Sequence, residues 1–198
     1  MRMRTRIASL LLAGVAALSV AGCGSDTDEA GKPLTITSYR GADWVTDGTV
    51  KPPASPGRGD RIQFPRTMDG AVMAAADSQT LLDTAPDDAF GAIARDYFAV
   101  GNGLTAYLAA RANVSVTGQP DPSRLPRIRG FRFLDYKDSS ATVEILFEQP
   151  DKSINGLTRQ LVWLGENWLI QLPDPKDNVT VLKAYDELPG DLEALPQT

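Results

Sequence analysis

Apolar residues in this chain change their spacing once, near Gly118, and this change restricts the folds that the chain can adopt. Before Gly118 they recur every three to four residues, as they do along one face of a helix. After it they alternate with polar residues, as they do on a half-buried strand. The strongest helical set is Phe90, Ile93, Ala94, Tyr97 and Phe98. The strongest alternating set is Val143, Ile145 and Phe147. The sequence therefore predicts helices followed by an antiparallel sheet.

Capping and turn signals divide the chain into expected elements. Thr67 is a good N-cap for a helix over residues 70–82, and Thr84 with Asp87 resembles a capping box for a second helix. A third helix is expected over residues 104–114. The expected strands are residues 127–136, 141–148, 157–164, 168–172 and 179–185, with a short early strand over 34–39. This order predicts an α+β fold, with N-terminal helices packed on one face of a curved antiparallel β-sheet.

Composition separates four regions of the chain. Residues 1–22 are expected to form a signal peptide, residues 23–60 a flexible tether or arm, residues 61–185 the α+β domain, and residues 186–198 a loose acidic tail. The arm is rich in Gly, Pro, Ser, Asp and Lys, which disfavour a packed core. Within it we expect order at the short strand over residues 34–39 and where Trp44 or Val45 finds a groove on the domain.

The first 23 residues resemble the leader of a bacterial lipoprotein. Arg2, Arg4 and Arg6 precede an apolar run over residues 7–20, which has the length of a signal-peptide core and is too short to span a membrane. The run ends at Cys23, the single cysteine, after small residues that resemble a lipobox. The resemblance implies cleavage before Cys23, attachment of acyl chains such as palmitate to Cys23, and anchoring at the outer face of the cell membrane.

Charge and residue types exclude several classes of function. Removing the three leader arginines from the 20 basic residues leaves 17 against 25 acidic residues, a net charge of −8, which opposes binding to nucleic acid. The chain has no histidine, and the lipid would occupy its only thiol. We find no phosphate-binding loop and no nucleophile elbow. The sequence therefore predicts a protein that is not an enzyme and that has no metal and no cofactor.

The order of elements, ending in a hairpin between Trp163 and Trp168, resembles the nuclear-transport-factor-two-like or cystatin-like superfamily. Three stretches also resemble uncharacterised actinobacterial envelope proteins of conjugative and integrative elements. They are Trp44 with residues 52–59, residues 64–75, and residues 130–143 with the Trp hairpin. The resemblance implies a place beside a conjugation or type IV secretion channel. Scaffold subunits of such channels are generally anchored in the membrane by a transmembrane helix. The lipid anchor expected here therefore favours an accessory role.

The same superfamily often holds a ligand between its helices and its sheet. The candidates to line such a cavity are Asp77, Tyr97, Tyr107, Trp163 and Trp168. The preferred interpretation is simpler: the aromatic residues are core residues, and Asp77 lies on a solvated helix face. Family relatives commonly use an Asp–His pair in catalysis, and this chain has no histidine.

Two hypotheses about function follow. The first is a non-catalytic lipoprotein that binds envelope or secretion-system proteins at the membrane. The alternative is a lipoprotein that binds a small molecule or a lipid in the cavity between helices and sheet. Neither hypothesis fixes the oligomeric state.

Overall fold

A computed structural model describes residues 32–59 and 61–197 of the chain. Its helices are α1 (Met68–Asp83), α2 (Asp87–Tyr97) and α3 (Asn102–Arg111). Its strands are β1 (Thr35–Tyr39), β2 (Ala42–Thr46), β3 (Arg127–Lys137), β4 (Ser140–Glu148), β5 (Ile154–Leu164), β6 (Asn167–Gln171), β7 (Leu182–Tyr185) and β8 (Glu193–Ala194). Short 3₁₀ turns cover Pro122–Arg124 and Pro175–Asp177. The expected signal peptide over residues 1–22 and the expected lipid site at Cys23 lie outside the described residues.

The strands form two antiparallel sheets. Strands β1 and β2 make a hairpin, and the main sheet has the order β6-β5-β4-β3-β8, with β7 also paired to β5. The predicted α+β class with an antiparallel sheet is confirmed. The early strand expected over residues 34–39 is present as β1, but the predicted order of helices before an antiparallel sheet is wrong because the β1–β2 hairpin precedes α1. No helix in the described part of the chain is long and apolar enough to cross a membrane.

Helix α1 is the centre of the fold. The hydroxyl of Thr67 accepts a hydrogen bond from the Gly70 N–H at 3.0 Å, as the predicted N-cap requires. Residues 71–76 are all at most 1% exposed, because α1 lies between the main sheet and the β1–β2 hairpin. The alanines on this helix allow both neighbours to approach closely, so α1 is buried on every side rather than amphipathic.

The β1–β2 hairpin belongs to the core, although it falls in the range predicted as a flexible tether. Trp44 and Val45 are fully buried, and Arg40 and Gly41 take the positive φ angles of a tight two-residue turn. The buried carboxylate of Asp43 accepts hydrogen bonds from Arg127 and from the Ile128 N–H, at 2.9 and 2.7 Å. These contacts join the hairpin to β3, so the folded unit begins well before residue 61.

The C-terminal segment is also ordered, in contrast to the predicted loose tail. Strand β8 pairs with Gly130 and Phe131 of β3, and the Leu195 side chain is buried. The Ile36 N–H then donates to the Pro196 carbonyl at 2.8 Å. The last residues therefore close the edge of the main sheet and reach the first strand of the chain.

The predicted capping box before α2 does not form. Pro86 is the N-cap residue and makes no side-chain cap, while the Thr84 hydroxyl donates back to the Thr80 carbonyl at 2.8 Å. The Asp87 carboxylate instead accepts hydrogen bonds from Arg111 and from the Val116 N–H. Asp87 thus ties the start of α2 to the chain that follows α3.

Candidate functional site

The five residues predicted to line a cavity lie in separate places. Asp77 is fully buried in α1, where its Oδ1 accepts a hydrogen bond from the Val45 N–H at 2.8 Å and its Oδ2 has no partner. Burial raises the pKa of Asp77 well above its ordinary value, because no cation offsets the lost hydration. Asp77 is therefore a core group that holds the β1–β2 hairpin, and not the solvated helix residue considered above.

The four aromatic candidates pack against other side chains. The Tyr97 hydroxyl accepts a hydrogen bond from the Ile62 N–H at 2.9 Å, and the Tyr107 ring packs against Phe90. Trp168 is fully buried, whereas Trp163 is half-buried and meets it edge to face at 5.5 Å. Among the five candidates only Trp163 and Trp168 are in ring contact.

The space beside the C-terminal half of α1 has room for about one water molecule. Its volume is about 30 Å³, and none of the five candidates lines it. Its walls include Asp43, Gln79, Asp83 and Phe147. The volume at this end of the helix–sheet interface is too small for the ligand that the second hypothesis requires.

A much larger open cleft, of about 630 Å³, lies on another face of the domain. Three separate pieces of chain form it: residues 49–53 after β2, the segment 61–65 before α1, and the β5–β6 turn. Its apolar walls come from Val50, Pro53, Ile62, Phe64, Pro65 and Trp163. Its charged lining residues are Lys51, Arg61 and Glu166. Of the residues predicted from sequence, only Trp163 takes part.

Asn167 fixes the 61–65 wall of this cleft. Its side chain is 1% exposed, its Oδ1 accepts from the Phe64 N–H at 2.8 Å, and its Nδ2 donates to the Ile62 carbonyl at 2.9 Å. The indole N–H of Trp168 donates to the Pro65 carbonyl at 3.0 Å. Residues 62–65 thus lie beside the start of β6 in the place of a further strand. They are held there by the side chains of Asn167 and Trp168, and not by backbone–backbone hydrogen bonds.

The other walls are held by tight turns. The Thr46 hydroxyl donates to the Val50 carbonyl at 2.6 Å, and the Asp47 carboxylate accepts from the Thr49 and Val50 N–H groups. Partial burial acts to raise the pKa of Asp47, but the hydrogen bonds from Thr49 and Val50 together outweigh it and lower that pKa. This wall therefore keeps its shape while Asp47 is ionised.

The β5–β6 turn presents one acid at the rim of the cleft. Gly165 and Glu166 have φ angles of 56° and 63°, the geometry of a type I′ hairpin turn. Next to the turn, the Arg66 guanidinium lies 5.5 Å from the centre of the Trp163 ring and donates to the Asp138 carbonyl at 2.9 Å. Arg66 thereby orients the indole that forms this side of the cleft.

The cations of the cleft have no internal partners. Within residues 32–59 and 61–197, neither Lys51 nor Arg61 forms an ion pair, and Nε and Nη2 of Arg61 are shielded from solvent without a hydrogen-bond partner. Glu166, at the rim, is likewise unpaired in this part of the chain. An apolar surface beside two unpaired cations suits the binding of an apolar ligand that carries negative charge. No group of three His, Cys, Asp or Glu residues in the described ranges could hold a metal ion.

A family model described as "Domain of unknown function (DUF8175)" matches residues 21–190. The chain belongs to this family. The part of the chain matched as a DUF8175 domain contains the β1–β2 hairpin, all three described helices and strands β3 to β7. It also contains every residue that lines the cleft. Searches among curated proteins and among solved structures found no match.

Proposed function

We propose that this DUF8175 protein is a non-catalytic binding module, held by a lipid on Cys23 at the outer face of the cytoplasmic membrane. In this proposal it is an accessory component of a conjugation, secretion or other cell-envelope assembly. The lipobox-like sequence before Cys23 supports the anchor, and the likeness to envelope proteins of conjugative elements supports the assembly.

One observation carries the binding role: the open cleft between residues 49–53, the 61–65 segment and Trp163. Its walls are held by Asn167, Trp168 and the 46–50 turn, so the surface is formed before a partner arrives. Preformed concave surfaces with apolar walls and a few polar groups are the usual form of a binding site.

The finer fold assignment is part of the same proposal. We infer a cystatin-like or nuclear-transport-factor-two-like domain, because α1 lies across a meander of β3, β4, β5 and β6. The β1–β2 hairpin would then be an addition that covers the opposite side of α1.

Site-specific photocrosslinking in intact cells tests the binding role. A crosslinking residue at Gln63, which lines the cleft and is exposed, should give an adduct with an envelope protein. The same residue at Lys176, exposed in a 3₁₀ turn outside the cleft, is the matched control and should not give that adduct. Equal adducts at both positions, or adducts with cytoplasmic proteins alone, would contradict the proposal.

Replacement of Cys23 tests the anchor. The Cys23→Ala variant should move from the membrane fraction to the soluble extracytoplasmic fraction, because the acyl chains have no other attachment site in this proposal. Ser25→Ala, two residues away, should stay in the membrane fraction. Intact mass of the wild-type protein should show the leader removed and acyl chains added, and a mass with the leader retained or with an unmodified thiol would refute the anchor.

A further inference from the structure

From the cleft and its unpaired groups we infer its ligand: an extended peptide segment of a partner protein that carries one carboxylate. This inference rests on the proposed binding role and adds the chemistry of the partner. The peptide backbone pairs with Gln63, its carboxylate pairs with Arg61, and its apolar side chains pack against Trp163 and Ile62, which are half-buried in the cleft wall.

The backbone of Gln63 is free to pair with a further strand. The Ile62 carbonyl and the Phe64 N–H both point toward Asn167, and in an extended chain the residue between them turns its backbone groups the other way. Gln63 lines the cleft, and its N–H and C=O have no hydrogen-bond partner in the described ranges. Such an edge is the usual docking place for an extended peptide, which adds one strand.

Arg61 offers the group that a carboxylate needs. Its Nε and Nη2 form the edge of the guanidinium that binds a carboxylate through two parallel hydrogen bonds. In the structure this edge is shielded from water and has no acceptor, an arrangement that is costly for a buried charge. Arg61 lines the cleft, so a carboxylate bound beside it supplies the missing acceptors.

The charge of the cleft selects a group with a single negative charge. Lys51 and Arg61 contribute two positive charges, and Glu166 at the rim contributes one negative charge, so one positive charge remains. A carboxylate carries one negative charge and neutralises this excess. A phosphate carries nearly two at pH 7 and would face Glu166 without a counter-charge.

Calorimetric titration of the full mature chain in detergent micelles tests the inference. The probe is the peptide Ac-Ala-Leu-Glu-Leu-Ala-NH₂, with the Gln-containing peptide as its matched control. We expect the Glu peptide to bind at least about tenfold more tightly than the Gln peptide. Equal binding of the two peptides, or competition by inorganic phosphate at the concentration of the peptide, would overturn the carboxylate assignment.

Two further probes separate a peptide from a free small acid. A version of the Glu peptide methylated on alternate backbone nitrogens should bind at least about tenfold more weakly, because it cannot pair with Gln63. N-acetylglutamate should bind more weakly than the pentapeptide. If N-acetylglutamate binds as tightly as the pentapeptide, or if methylation does not change the affinity, the ligand is not a peptide and the inference is overturned.

Substitution of Arg61 gives a readout that a structural role cannot reproduce. Arg61→Met should lose the preference for the Glu peptide and should also raise the Tm, because an unpaired guanidinium is replaced by an apolar side chain. Arg61→Lys keeps the positive charge but lacks the paired donors of the guanidinium, so it should bind the Glu peptide with intermediate affinity. Arg95→Gln removes an exposed arginine of α2 and should leave both binding and Tm unchanged. A lower Tm together with unaltered binding in Arg61→Met would assign Arg61 a structural role and overturn the inference.

The outcomes also separate this inference from the proposed function. An envelope partner crosslinked at Gln63 in cells, but bound equally well by Arg61→Met, would leave the binding role in place and remove the carboxylate. Selective binding of the Glu peptide without any crosslinked envelope partner would support the ligand chemistry and count against the assembly.

Discussion

Asp77 places a carboxyl group in the middle of the core without a counter-charge. One oxygen accepts the Val45 N–H and the other has no partner, so only the neutral form is easily accommodated. Its raised pKa expresses this preference. A group whose pKa is higher in the folded state than in the unfolded chain stabilises the fold at low pH, and that contribution is lost as the pH rises.

The variant Asp77→Asn tests this coupling. We expect the free energy of unfolding of the wild type to fall, relative to the variant, as the pH rises above 3.8, the ordinary pKa of Asp. The difference should grow by up to about 1.4 kcal/mol for each pH unit until the pKa of the folded state is passed. Urea unfolding of both proteins at several pH values measures it. A constant difference between them from pH 4 to pH 8 would show that folding does not raise the pKa of Asp77.

Asn167 is a second single residue with a structural role, because its side chain alone joins residues 62–64 to the start of β6. Asn167→Ala would leave the Phe64 N–H and the Ile62 carbonyl without partners. We expect a loss of about 2–4 kcal/mol in the free energy of unfolding, since each unsatisfied buried group costs about 1–3 kcal/mol. The exposed Asn113 is the control, and Asn113→Ala should change stability by less than about 0.5 kcal/mol. Chemical denaturation gives both values, and similar losses in the two variants would refute this role.

At the scale of elements, strand β8 depends on a glycine in the strand beside it. A Cβ atom on Gly130 would lie 2.3 Å from the Glu193 carbonyl oxygen and 2.9 Å from the Leu192 side chain. The main chain of β8 could not keep its present position against such an atom. The C-terminal segment is held further by Arg132, which binds both Asp191 and the hydroxyl of Tyr185.

Gly130→Ala should therefore detach β8 from the sheet. We expect faster amide hydrogen exchange at Phe131 and Leu195, and a loss of about 1–3 kcal/mol in the free energy of unfolding, as for other overpacked sites. Gly190→Ala is the control, because nothing lies within 4 Å of its added Cβ. Unaltered exchange in Gly130→Ala would show that β8 is not an integral part of the sheet.

Elements with a strong local pattern could be predicted from sequence, and those defined by distant contacts could not. Helix α1, its Thr67 cap and strands β3 to β6 follow from spacing and turn residues alone. Strand β1 also matches the short strand expected over residues 34–39, whereas β2 has only five residues in a stretch rich in Gly and Pro. Strand β8 has two residues. Their order comes from burial against α1 and β3, which local patterns do not encode.

For the molecule as a whole, the sequence does not predict the cleft, for a related reason. Its walls come from residues near 50, near 63 and near 165, and no sequence window contains all three. Trp163 could be found because aromatic residues stand out. Arg61 and Asn167 could not, because an arginine after a loop and an asparagine after a turn are ordinary surface residues unless the fold buries them.

The contact between Ile36 and the last described residues has a practical consequence. Ile36 forms a parallel bridge with Gln197, so both ends of the described domain emerge at one place. A reporter fused after Gln197 would start beside the strand that leads in from the N-terminal side. Under the lipid anchor proposed on Cys23, distance measurements from a dye there to labelled lipids would give the orientation of the described domain relative to the bilayer.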